Sequence, residues 1–207
     1  MKKDWSYDSA MISKANVAAD FIFLNIVYLI CCIPIVTIGP ANAAMAGCIF
    51  AFRKEEAAGV KEFLRLFLQN IKTFLLPWLG VLGLGVVVLF DAYLLFTKPA
   101  AAVLVFAVVL VVLMVFYAMI LSHISLIHAK FECKFRYMIA NSVLLSLAHP
   151  LRTLALLILE LLPLALFLFW PEAFVFLTPA WLLCYFSLRS YAAVRIMEPV
   201  YAKLLAR

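Results

Sequence analysis

The sequence predicts an all-α integral membrane protein, a single transmembrane domain over residues 1–207 built as a polytopic bundle of six spans. Three observations lead there. Apolar residues make up 68% of the chain and charged residues only 14%, against roughly 25% in an average soluble domain. The apolar residues are gathered into runs that approach or exceed the roughly 20 residues a helix needs to cross a bilayer. The Lys and Arg residues fall between those runs and, with one exception, on one side of the resulting topology. A soluble domain of this size has too little polar surface to cover so much apolar area.

The first two spans, 17–33 and 35–52, are separated by Pro34, and the second is interrupted by Thr37-Ile38-Gly39-Pro40. Proline and glycine break a helix and favour a turn. The remaining spans run over 73–97, 100–128, 151–170 and 173–188. Whether residues 17–52 cross once or twice decides between five spans and six, and the basic residues arbitrate. With two crossings, 16 of the 17 Lys and Arg lie on the cytoplasmic side, and only Lys98 lies outside. One crossing strands Lys2, Lys3 and Lys14 outside and leaves 13 within. The positive-inside rule therefore favours six spans with both termini cytoplasmic. Each of the two limbs is short, so a re-entrant second limb stays open.

Between the second and third spans, polar residues recur at Lys61, Arg65, Gln69 and Lys72, with Phe63, Phe67 and Ile71 on another face. That is helical spacing, and it predicts an amphipathic helix lying in the headgroup layer. Residues 135–147 form a weaker candidate of the same kind, and the tail from Arg189, bent at Glu198-Pro199, a third. Two basic-Thr pairs, Lys72-Thr73 and Arg152-Thr153, lead into spans and hint at a repeat. The outer loops, Thr97-Lys98-Pro99 and Trp170-Pro171-Glu172, are short, and Trp170 and Trp78 fall near membrane edges, where aromatic anchors sit.

Polar residues inside spans are the candidate site, because a charge in hydrocarbon is costly. Glu160 lies near the middle of the fifth span, three residues before Pro163. It reads either as a proton or cation site or as a hydrogen-bonded strut between helices. Asp91 lies about two turns from the outer end of the third span. Asn25 is one turn inside the first span, which Asp20 opens, and has the character of an interhelical hydrogen-bonding residue. His123 and His128 are five apart, on different faces of one helix, so no metal site is expected. Gly80, Gly83 and Gly85 suggest close helix contact rather than a phosphate cradle.

No catalytic or nucleotide-binding motif is present: there is no H-E-x-x-H, G-x-S-x-G, P-loop or dinucleotide fingerprint. The chain is expected to be no enzyme and to need no cofactor. The net charge of +6 is spread through short segments between apolar runs, which orients a membrane protein toward anionic lipid and excludes nucleic acid as the partner. Five scattered cysteines without a C-x-x-C read as small packing residues. The first apolar run is too long for a cleavable h-region, so cleavage after Ala44-Met45-Ala46 is not expected.

Leu24-Asn25, the run Cys31-Cys32-Ile33-Pro34-Ile35-Val36-Thr37-Ile38-Gly39-Pro40-Ala41, Arg53-Lys54-Glu55-Glu56, and the pattern Phe63, Phe67, Asn70 before a span together resemble the YesL-like family. This is a bacterial membrane family of unknown function, numbered 624 among such domains. The likeness covers residues 11–80, and its most specific part is the P-I-V-T-I-G run. Tyr28 and Ile71 depart from the family's tendency to Trp and Phe. The resemblance implies a Gram-positive plasma membrane and an accessory role near carbohydrate uptake, with ABC sugar-transporter components as candidate partners. It assigns no catalytic residue. The alternative reading is a small autonomous transporter or channel using Glu160 and Asp91, since broken helices line binding sites in transporters.

Overall fold

The computed structural model describes residues 19–54, 59–97, 100–131 and 133–205. Lys2, Lys3, Lys14 and Lys98, on which the predicted topology draws, lie outside them. All regular structure among the described residues is helical: α1 (Ala19–Cys31), a 3-10 turn (Ile35–Thr37), α2 (Ile38–Phe52), α3 (Val60–Thr97), α4 (Ala100–Lys130), α5 (Phe135–Ala148), α6 (Pro150–Phe169), α7 (Pro171–Ala180), a π-helical segment (Trp181–Tyr185) and α8 (Phe186–Leu205). The chain is a helical membrane protein. Five stretches are long and apolar enough to cross a bilayer, namely Ile35–Phe52, Val60–Leu94, Val105–Lys130, Pro150–Phe169 and Pro171–Leu205, and α1 is a shorter apolar helix packed among them.

The centre of the bundle is α2. Within Ile35–Phe52, 56% of the residues are buried, against 11% of the most apolar 18 residues in each of Val105–Lys130 and Pro150–Phe169. Its composition explains this. Ala41, Ala43, Ala44, Ala46 and Gly47 give a thin helix without a polar face, which neighbouring backbones can approach closely. It packs against α3, α4 and α8. The outer helices present Val105, Val108, Val112, Leu154, Ile158 and similar side chains outward, as lipid-facing surfaces do.

The turn between α1 and α2 is closed by its own residues. The Thr37 hydroxyl lies 2.6 Å from the Cys31 carbonyl and 2.7 Å from that of Pro34. Gly39 faces Trp78 of α3, and a β-carbon at position 39 would overlap the indole ring. Asn70 donates to the Pro40 carbonyl at 3.4 Å. The Pro34, Thr37, Gly39 and Pro40 motif is thus the joint that sets α1 and α3 against α2. Trp78 is 5% exposed, so it is a packing residue rather than the interfacial anchor its position suggested.

Two boundaries differ from the sequence reading for one reason. The amphipathic stretch before the third span and the span itself are a single helix, α3, of 38 residues, or about 57 Å. That is far longer than a hydrocarbon core of roughly 30 Å. The sixth span likewise continues into the tail without a break, through Pro179 and Pro199. Neither junction contains a turn-forming sequence, and one proline alone is tolerated within a membrane helix.

Candidate functional site

The polar interior lies where α2, α4, α6 and α8 meet. Glu160 of α6 and Arg189 of α8 line one cavity of about 30 Å³, together with Asn42, Ser122, Ser125 and Ser190. Arg189 donates to Asn42 Oδ1 at 2.8 Å, and Tyr28 donates to the same oxygen at 2.8 Å. The guanidinium also lies 5.9 Å from the Phe186 ring. Glu160 has no direct ion pair with Arg189; the two charges face each other across the cavity. A half-buried cation close to a half-buried carboxylate lowers the cost of placing either in low dielectric. The sequence reading put Arg189 at the cytoplasmic interface and missed Asn42. Ser187 and Ser190, three residues apart and both buried, are the signal that marks this face of α8 as a helix contact.

Asn25 is fully buried and serves a different element. Its amide nitrogen donates to the carbonyls of Leu182 at 2.7 Å and Trp181 at 3.3 Å, and its oxygen accepts from the Ser187 N–H at 2.9 Å. A π-helical turn shifts the backbone ladder and leaves polar groups without their usual partners. Asn25 supplies those partners, and Tyr185, bonded to the Leu159 carbonyl, clips the same segment to α6.

Asp91 is buried at 8% exposure in α3, and its Oδ2 has no hydrogen-bond partner. It does not line the cavity of Glu160, so the structure does not bring Glu160, Asp91 and Asn25 into one site. Asp20 is exposed.

Along α3, Lys61, Arg65 and Gln69 are exposed, while Phe63 and Phe67 are buried with stacked rings 6.2 Å apart. They pack with Leu24, Tyr28, Met45 and Cys48, so their face is turned to the bundle. Arg65 makes an ion pair with Glu62 at 2.5 Å.

Each threonine of the two basic-Thr pairs bonds back to the carbonyl four residues earlier, Thr73 to Gln69 at 3.1 Å and Thr153 to His149 at 3.2 Å. Each also meets a histidine of α4: Thr73 Oγ1 lies 3.4 Å from His128 Nε2, and Thr153 Oγ1 lies 3.0 Å from His123 Nε2. The two histidines therefore serve separate helix contacts, and no metal-holding group occurs among the described residues. Of the three glycines in α3, Gly80 meets Phe135 and Gly85 meets Tyr117, while Gly83 faces open space.

At one end of the bundle the cations collect. Arg53 pairs with Glu198 at 2.6 Å and reaches the Tyr191 hydroxyl at 3.4 Å, joining the end of α2 to α8. The hydrogen bond to Glu198 holds the guanidinium pKa above its ordinary value. Lys130 at the end of α4 lies 4.9 Å from the Phe50 ring.

Residues 21–92, from α1 through most of α3, match the family model described as a protein of unknown function, DUF624. Over this stretch the chain is similar to the DUF624 family. The YesL-like assignment fits, since the YesL-like family is a DUF624 family. The DUF624 match contains the Pro34–Pro40 joint, Trp78, and the Phe63 and Phe67 face. Glu160 and Arg189 lie beyond it. No curated protein and no solved structure matches the chain.

Proposed function

We propose that this protein is a membrane-embedded accessory or regulatory protein linked to carbohydrate uptake, with no catalytic activity of its own. The observation that carries the reading is the size of the polar interior. A cavity of about 30 Å³ has room for a water or two. Small-molecule sites run from roughly 300 to 1,000 Å³. Together with the partly balanced charges of Glu160 and Arg189, this favours a bundle that is closed in its middle and acts on a partner. The YesL-like resemblance points to the partner class, the membrane components of an ABC sugar importer. The lipid-facing Val and Leu surfaces of α4 and α6 are available to a partner's spans.

The setting proposed is a bacterial plasma membrane, with the end that carries Arg53, Lys130 and Arg195 on the cytoplasmic side, as the positive-inside rule favours. The test is flux: the purified chain alone, reconstituted in proteoliposomes, should take up no labelled mono- or disaccharide above empty vesicles. Saturable uptake by the chain alone would overturn the accessory reading. It would favour the second one, a small transporter that uses Glu160, for which the facing Arg189 is the supporting observation.

A further inference from the structure

At the cationic end, a groove of about 620 Å³ opens between α2, α3, α4 and the link to α5. We infer that it binds a phosphate group, carried either by an anionic lipid or by a soluble phosphate ester.

Ala43 and Gly47 are among its lining residues, and a methyl group and bare backbone leave the space open. Lys130 and Lys134 stand at one side, and Gln69, Asn70 and Thr73 on the other. Among the described residues that line it there is no carboxylate. Glu62 lines an adjoining hollow of about 410 Å³ and is engaged by Arg65 at 2.5 Å.

Part of the polar lining is already engaged, since Thr73 donates to the Gln69 carbonyl and Asn70 to that of Pro40, which leaves Lys130, Lys134 and the Gln69 amide as the donors for a ligand. Thr73 Oγ1 and His128 Nε2 are 3.4 Å apart, and His128 stacks on Phe74 with ring centroids 4.3 Å apart. His128 Nδ1 is buried without a partner. A phosphate oxygen accepts from ammonium and amide groups together, which a cation cannot do.

The level of the groove also matters. Leu68 and Leu76, on the α3 turns that flank it, are 60% and 80% exposed, as lipid-facing residues are. The groove therefore sits where α3 leaves hydrocarbon for headgroups, the layer in which Lys and Arg meet anionic lipid.

The test uses the full chain and two probes. Native mass spectrometry, in mild detergent with equimolar phosphatidylglycerol and phosphatidylcholine, reads lipid retention. Thermal stability in phosphatidylcholine nanodiscs, titrated with inorganic phosphate against chloride, reads the soluble source. The wild-type chain should retain one phosphatidylglycerol in preference to phosphatidylcholine, or be stabilised saturably by phosphate. The first result identifies the lipid source and the second the soluble one. The double variant K130Q/K134Q should weaken the effective probe on the order of tenfold or more, as two lysines at an anionic surface do. Gln69→Ala should weaken it less. The charge-matched control R136Q/K203Q, at exposed positions outside the groove, should leave it unchanged. Equal binding by K130Q/K134Q and wild type, or equal loss in the control, would overturn the inference. So would indifference of the wild-type chain to both probes.

Discussion

Glu160 on α6 and Arg189 on α8 face each other across one small cavity, and Arg189 is held there by Asn42. Both residues are half-buried, and each charge reduces the cost of the other.

Changing one member of this pair should therefore hurt more than changing both. Glu160→Leu leaves Arg189 without its counter-charge and should destabilise the bundle by about 1–3 kcal/mol, with the lower end reflecting the partial burial of Glu160. The double variant E160L/R189L should recover part of that loss. Glu160→Gln should fold and keep its partner. Thermal unfolding in detergent, read as a double-mutant cycle, checks this; additive losses would show that the two residues do not interact.

Gly39 should tolerate no side chain while Trp78 is present. Gly39→Ala forces the indole out of its place and should cost about 1–3 kcal/mol, the usual range for overpacking. Trp78→Leu in the same chain should relieve much of it, although Trp78→Leu alone leaves a void. Retained stability of Gly39→Ala with native Trp78 fluorescence would contradict the packing described.

Asn25→Leu removes the side chain that completes the π-helical turn. The expected cost is about 0.6–2 kcal/mol, typical of polar contacts between membrane helices. Amide exchange at residues 181–187 should accelerate in the variant and stay unchanged at residues 41–50, which lie away from the contact. Uniform acceleration would mean global loosening instead.

Much of this architecture was legible in the sequence, and the parts that were not share a cause. Long apolar runs announced membrane helices because composition alone forces burial in lipid. The i, i+4 recurrence of Phe63 and Phe67 marked a common face, and that face packs on α1 and α2. The continuity of α3 and of Pro171–Leu205 was not visible, because hydropathy falls at the membrane surface whether or not the helix stops there. Arg189 was read as interfacial for the same reason: a long side chain can be directed inward from the edge of a span, and one-dimensional hydropathy carries no direction. Asn25 was recognised as an interhelical hydrogen-bonding residue, but its partner, a π-helical turn 156 residues away, leaves no local signature.

The positive-inside rule, applied to Arg53, Lys130 and Arg195, predicts the orientation. Single cysteines introduced at Lys3 and Lys98, in a background without the five native ones, should be labelled by a membrane-impermeant reagent only at position 98 in intact cells. Glu172 should behave as Lys98 does. External labelling at position 3 would leave a single crossing over residues 17–52.

The accessory role is tested most directly by isolating the chain from its native membrane in mild detergent and quantifying what accompanies it by mass spectrometry. The account predicts a membrane component of an ABC sugar importer at a fixed stoichiometry, retained when Glu160 is changed to Gln. A chain recovered without any permease component, under conditions that keep a reference importer intact, would contradict it.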